Sequence, residues 1–580
     1  MPRTALGSLI GAAVAAALAP LLKPFFHPPT GGIGFVTVNA YPKGWDYAVV
    51  ALLVLGAFAG GALLSRREVA ERVVTRVTRA PQWLGALLVF LAMIAVHDHP
   101  QAPMDPFHEG EHLTPAFLFQ SGERPYRDVF VLHGLATDGG LDAFVLGDPP
   151  SPHRTRRLQT ILDAATLALL VPIAAEVVGT TTALACAVFA SLCGMAALWV
   201  PVFPYFRLAP LLLATLGLLR YVRLGSARAL LLAFCAATLG VLWSLDTGSY
   251  ALGGTIVAFV LVRALKLDAK PLPLRTIALI ALIAFVAPIA VLLAARADLR
   301  QFFLDSFVII PHSIDAIWSL PVPAMRNAEA LRYYLPPAFY GFLLALAFAT
   351  WRRGDRLRAA QIAIVAILSV VAFRTASGRV SWSHTRFATP LLGISLVAFV
   401  LEPLLVARRR AVAIVLGIAL VAYLEVVPNV TAGAKLLAGW RARQRHDTLV
   451  AYPFKTGKGI YTNQENANEL AALNGFLASL GPHDVPILDF SNERALYYLL
   501  QRKPPMRCFD IPMLAAPPLL AEAMAELNAH PPVAVVLEAT AVLGAFDGVS
   551  NRDRVPELAA WIDAGYPKRT RIGRFLVATR

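Results

Sequence analysis

Thirteen apolar stretches divide this chain, at approximately residues 5–24, 46–64, 83–97, 158–178, 181–201, 206–222, 228–244, 249–265, 276–295, 335–351, 359–374, 387–406 and 411–427. Each is near the length that crosses ~30 Å of hydrocarbon as a helix. Residues 1–427 are therefore expected to form an all-α polytopic membrane domain. Composition agrees: 57% of residues are hydrophobic, only 15% are charged, and the mean hydropathy is +0.60, far from the soluble norm. The first stretch follows a basic start, but its small-residue exit at Ala17–Ala19 runs into Pro20, a poor cleavage context. It is expected to persist as the first helix.

A net charge of +15 would suggest nucleic acid in a soluble protein, but here the placement of the charge matters more. Basic residues cluster in alternate loops: 66–80, 220–228, 263–275, 352–358 and 408–410. Short loops rich in Lys and Arg stay in the cytoplasm. With thirteen helices all five clusters fall on that side, and no nucleic-acid partner is needed. The segments 27–45, 98–157, 202–205, 243–250, 296–334, 375–386 and everything after Pro428 then lie together outside. Cys186, Cys193 and Cys235 sit in apolar runs and Cys508 stands alone in a polar region, so neither a disulfide framework nor a cysteine metal site is expected.

From about residue 428 the composition becomes that of a soluble domain. Thr462 with Glu465 reads as a capping box ahead of an amphipathic helix, "ANELAALNGFLASL". "VPILDF" (485–490), "VAVVLEA" (533–539) and "RFLVAT" read as strands. "NERALYYLLQR", beginning near Asn492, and "VPELAAWIDAG" read as helices. The alternation predicts a small extracytoplasmic α/β domain over 428–580. It carries no nucleotide-binding glycine loop, and it is expected to roof a cavity and help choose an acceptor.

One outer loop is unlike the rest. "MDPFHEGEHLTPAFLFQSGERPYRDVFVLHGLATD" (104–138) gathers Asp105, His108, Glu109, Glu111, His112, Asp128, His133 and Asp138 at a membrane exit. Solubility alone would need only a few Lys and Ser. A reaction on this side has no ATP or nucleotide-sugar pool, so its substrate arrives activated and membrane-delivered.

"HEGEHLTPAFLFQSG-ERPYRD" resembles a motif of bacterial GT-C superfamily membrane glycosyltransferases, of the family 39 kind, which use polyprenyl-phosphate-linked sugars. In that pattern an acidic pair is followed by "A-x-x-L-L-x-x-G-x-x-P-Y-R-D". Gly122, Pro125, Tyr126, Arg127 and Asp128 match; Glu109 holds the second acidic position, and His108 replaces the first. The motif spans about thirty residues. The resemblance implies transfer of a sugar from a polyprenyl-phosphate donor to a glycan, lipid or protein acceptor, outside a bacterial inner (plasma) membrane. No cofactor is required by it.

Such a transfer needs a carboxylate to deprotonate the acceptor hydroxyl, and Glu109, Asp105 and Glu111 are the candidates. The leaving phosphate needs cationic donors. His384 and Arg386 of "FRTASGRVSWSHTRF" are expected to approach the same cavity, with His108, Arg127, Asp128, His133, Asp138 and Asp246 as further binding residues. Asp128 is equally suited to pairing with Arg127, Asp246 to capping a helix, and the 374–386 turn to interfacial anchoring. A divalent ion would suit this many acids and histidines, but the spacing matches no metal signature. A lipid-linked glycan flippase would place its charges inside the helices. An O-antigen-type polymerase or ligase would carry paired arginines in a late outer loop. The crowding of acids in one early loop favours the transferase.

Overall fold

The computed structural model of the protein describes residues 3–65, 82–97, 103–178, 204–323, 328–406, 411, 449–538 and 545–580. The expected spans 181–201 and 411–427, the basic loops 66–80 and 408–410, and the boundary at Pro428 lie outside them. Among the described residues, eight helices are long and apolar enough to cross a membrane, and three shorter apolar helices (Leu84–Ile94, Ala227–Trp243, Leu392–Leu404) fall on other expected stretches.

These helices differ in what surrounds them. Tyr205–Leu224 packs at the centre of the bundle, whereas Leu274–Ala294 turns Leu279, Leu282 and Phe285 outward, as lipid-facing residues do. Small residues let the first two spans touch backbone to backbone: a Cβ on Gly11 would lie 1.9 Å from the carbonyl oxygen of Gly56. In lipid, where burying apolar surface gains nothing, this close van der Waals contact is what holds helices together.

The loops segregate by charge. Those at 220–228, 263–275 and 352–358 meet at one end of the bundle. There the Ala269 amide donates to the Val222 carbonyl (3.2 Å), Arg223 pairs with Glu176 (2.7 Å), and Gln361 donates to the Glu176 carbonyl (2.6 Å). The expected outer segments gather at the other end around the C-terminal domain. Arg554 donates to the Ile33 carbonyl (3.0 Å), Arg507 pairs with Asp305 (2.6 Å), and Arg379 pairs with Asp547 (2.6 Å). The 296–334 stretch is largely helical rather than open loop, with helices Leu299–Leu304 and Ile310–Trp318 seated against that domain.

The domain is α/β. Its four-stranded sheet runs in the order Leu488–Asp489, Val535–Glu538, Phe575–Thr579, Lys568–Ile572, the first pair parallel and the others antiparallel. Two expectations need correction, and one strand went unread. The Gln464–Leu480 helix is capped by Asn463, whose side chain accepts from the Asn466 amide (2.7 Å), because Thr462 is held in a short strand against Val450. The "NERALYYLLQR" helix is only Ala495–Leu500: Asn492 sits in the left-handed region (φ +67°), as does Gln501 at its end (φ +52°). The Lys568–Ile572 strand, rich in Lys and Arg, carries no apolar alternation by which to read it.

Candidate functional site

A chain of short-range bonds shapes the acidic loop. Asp105 accepts from the amides of Phe107 and His108 (both 3.1 Å), and its Oδ2 lies 2.7 Å from His108 Nδ1. Burial pushes the Asp105 carboxyl up, but these bonds outweigh it and hold it below the usual range. Glu109 folds back on the same turn, accepting from the Asp105 amide (2.9 Å). It also forms a two-pronged ion pair with Arg156 (2.8 and 2.7 Å), and it is buried. Helix Gly110–Gln120 begins there, and Glu111 and His112 project from its first turn.

These two, with His108, line a narrow cleft that opens to solvent. His133, Asp138 and Asp142 line it from the following segment, and Arg207 from the membrane bundle. The cleft joins three histidine–aspartate pairs. His108 is on Asp105, His112 makes a short bond to Asp142, and His133 Nδ1 lies 3.1 Å from Asp138 Oδ1. An ionised carboxylate only accepts, so each Nδ1 donates and each Nε2 is the nitrogen available to a ligand. Asp138 is fixed in turn by the amides of Leu132 (2.6 Å) and His133 (2.7 Å). Burial opposes charge on His112 and His133. Asp142 raises the first above its ordinary value, Asp138 the second, with help from Glu111. Both are thereby biased towards imidazolium.

Glu111 is buried enough that desolvation pushes its carboxyl up. The charges of Arg494 and His133 prevail and hold it below the ordinary range. Arg494 comes from the C-terminal domain and bonds Glu111 directly. Arg207 is anchored by Ser244 (3.0 Å) and Asp246 (2.8 Å).

The sequence-derived candidates therefore divide. Glu111, His108, His133 and Asp138 are brought together. Glu109 is turned into the protein on Arg156, Asp105 is half-buried and held on His108, and neither lines the cleft. Asp246 acts through Arg207. Arg127 and Asp128 belong to a turn at the surface: Asp128 accepts from the Arg124 amide (2.9 Å), and Tyr126 adopts φ +65°. Neither lines the cleft. Ser381 caps the short helix that carries His384, accepting from the His384 amide (3.3 Å), and its hydroxyl lies 2.7 Å from His384 Nδ1. Burial, with the charges of Arg379 and Arg207, drives His384 down to about 3, so it stays neutral and cannot serve as a cation. Arg386 is buried and lines no part of the cleft.

His112, Asp142, Arg156, Arg207 and Arg494 were missed as site residues. His112 sits one position from Glu111 and could have been included. The arginines have no local signal, since each reaches the loop from another element. Among the described residues, no three His, Cys, Asp or Glu side chains converge as ligands of one ion.

Fold and site together define a multi-pass membrane protein that carries an α/β domain over a polar cleft at one end of its bundle. Among solved structures it is similar to ArnT from Cupriavidus metallidurans, in the apo state and bound to undecaprenyl phosphate. The identity is 14% in both cases, with 86% of this chain and 98% or 97% of that chain covered, at TM-scores of 0.43 and 0.44. No protein-family model and no curated protein matches the chain.

Proposed function

We propose that the protein is an integral membrane glycosyltransferase that moves a sugar from a polyprenyl-phosphate donor to an extracytoplasmic acceptor, with Glu111 as general base. One observation carries the reading: at the membrane end where the outer loops meet, a single cleft combines an ionised carboxylate with two imidazolium-biased histidines and an arginine. Those are the two halves of the chemistry. Glu111 takes the proton of the acceptor hydroxyl as its oxygen attacks the anomeric carbon. The bond from that carbon to the phosphate oxygen breaks, and the phosphate leaves with the electron pair. His112, His133 and Arg207 donate to the charge that builds on it, in a site where such donors act most strongly. The mouth of the cleft keeps the donor's phosphate at headgroup depth while its lipid stays in the bilayer.

The charge placement of the loops supports putting this end outside a bacterial plasma membrane, opposite the basic loops. Purified protein, given a polyprenyl-phosphate sugar and an acceptor, should release polyprenyl phosphate. Glu111→Gln keeps the shape and should cost ~10²-fold or more in turnover. Unchanged turnover in that variant would remove Glu111 from the role, and no release by the wild type with any such donor would remove the transferase reading.

A further inference from the structure

The C-terminal domain reaches Glu111, which lines the cleft, from behind through Arg494. Leu488–Asp489 ends the parallel strand, and the chain then turns sharply. Asp489 accepts from the Ser491 amide (2.8 Å) and hydroxyl (2.6 Å). Asn492 is held in the left-handed region by side-chain bonds with Asn551 (3.2 and 3.0 Å), whose own amide also donates to the Phe490 carbonyl (2.8 Å). Non-glycine residues rarely occupy that region, Asn more readily than most. The turn delivers Arg494 at the start of a helix, with its side chain 1% exposed.

The membrane domain is built to receive it. Thr114 donates to the Arg494 carbonyl (2.7 Å), and the Ala495 amide donates to the Pro106 carbonyl (2.9 Å). Residue 110 has to be glycine, since a Cβ there would lie 2.3 Å from the Ala495 nitrogen. The guanidinium lies 4.0 Å above the Phe107 ring and divides its two ends between carboxylates: one on Glu111, the other on Asp510 of its own domain (2.5 Å).

We infer that Arg494 is a positioning residue for the Glu111 carboxylate, so that the C-terminal domain completes the reaction site rather than only roofing it. The inference rests on the transferase reading for what Glu111 does, but not for how Glu111 is held. A buried arginine shared by two acids cannot neutralise both. Asp510 therefore competes with Glu111 for it, and removing either partner changes the charge felt by the other. The remaining groups that face Glu111 are His108 and His112 on its own segment, His133 with Asp138, and Asp142 across the cleft. None of them belongs to the C-terminal domain.

The test reads the Glu111 carboxyl without relying on turnover. A water-soluble carbodiimide with an amine nucleophile modifies carboxylic acids in the protonated form, so extent of labelling against pH, followed by peptide mass spectrometry, gives the midpoint for Glu111. Arg494→Gln on the full chain should move that midpoint up by about a unit or more, the shift expected when an adjacent opposite charge is lost. Asp510→Asn, which leaves Arg494 to Glu111 alone, should move it down, and serves if the first variant does not fold. In the turnover assay, the acid limb of the pH profile should move with the labelling midpoint in each variant. A clamp that merely docked the domain would lower activity at every pH and move neither. Identical labelling midpoints in the wild type and the variants, or a shifted midpoint with an unshifted acid limb, would overturn the inference. Shifted midpoints in a protein that turns over no lipid-phosphate sugar would instead sink the transferase reading and leave the ion pair standing.

Discussion

At the scale of single residues, Glu109 and Glu111 are two acids one residue apart with opposite fates. Glu109 faces Arg156, a half-buried arginine, and Glu111 faces the cleft. Glu109→Gln leaves Arg156 charged and without its carboxylate in a largely buried place, a change that typically costs about 3 kcal/mol or more. Its thermal midpoint should fall while turnover per folded molecule survives, the reverse of Glu111→Gln; a Glu109→Gln protein that is stable but inactive would contradict the division. The histidines set a pH dependence of their own. The folded-state value of His112 is raised, so its pairing with Asp142 contributes fully below the ordinary histidine value of ~6.5 and is lost as pH rises through the raised one. Donor affinity should therefore decline on the alkaline side. Asp142→Asn should bring that decline to lower pH in a lipid-phosphate binding titration. Asp105 works in the opposite sense: its depressed value gives a contribution present above the ordinary carboxylate range and lost as pH falls.

At the scale of elements, the Gly110–Gln120 helix and the Arg494 turn are a matched pair. Gly110→Ala places a methyl group on backbone that cannot rotate away, so one of the two elements has to move. The Ala495–Leu500 segment should then exchange its amide hydrogens faster while the Phe575–Thr579 strand keeps its protection; equal protection of both would show that the contact tolerates the methyl. The sequence made these elements legible unevenly. Gln464–Leu480 and Pro556–Gly565 are long and periodic, and both were placed well. The run at 492–501 has the composition of a longer helix, but asparagine bonds to Asn551 hold its first residue in another conformation. Propensity is a local average, and a tertiary bond outweighs it.

At the scale of the whole molecule, the described loops with clustered Arg and Lys, at 220–228, 263–275 and 352–358, lie at the end of the bundle opposite the acidic loop, as the positive-inside pattern requires of a single topology. Cysteines introduced at Phe144 and Ala472, both exposed, should label with a membrane-impermeant reagent on intact cells beyond the background of the native cysteines. One at Arg356, exposed at the other end, should label only after permeabilisation. Labelling of Phe144 and Arg356 from the same side would break the topology.

Hydropathy and charge are properties of contiguous stretches, and they act through the bilayer on each helix almost independently. That is why the sequence alone located the spans and basic loops that fall among the described residues, and the strand–helix alternation of the C-terminal region. It also drew attention to 104–138, because so many acids and histidines in one short reach is itself a local fact. Which of those groups faces a ligand was decided only by tertiary structure. Arg156, Arg207 and Arg494 approach from three different elements, and each ion pair they form fixes where one acid points. An ion pair between distant residues leaves no periodic trace in the chain, so Glu109 and Glu111 are indistinguishable until the fold brings their partners to them.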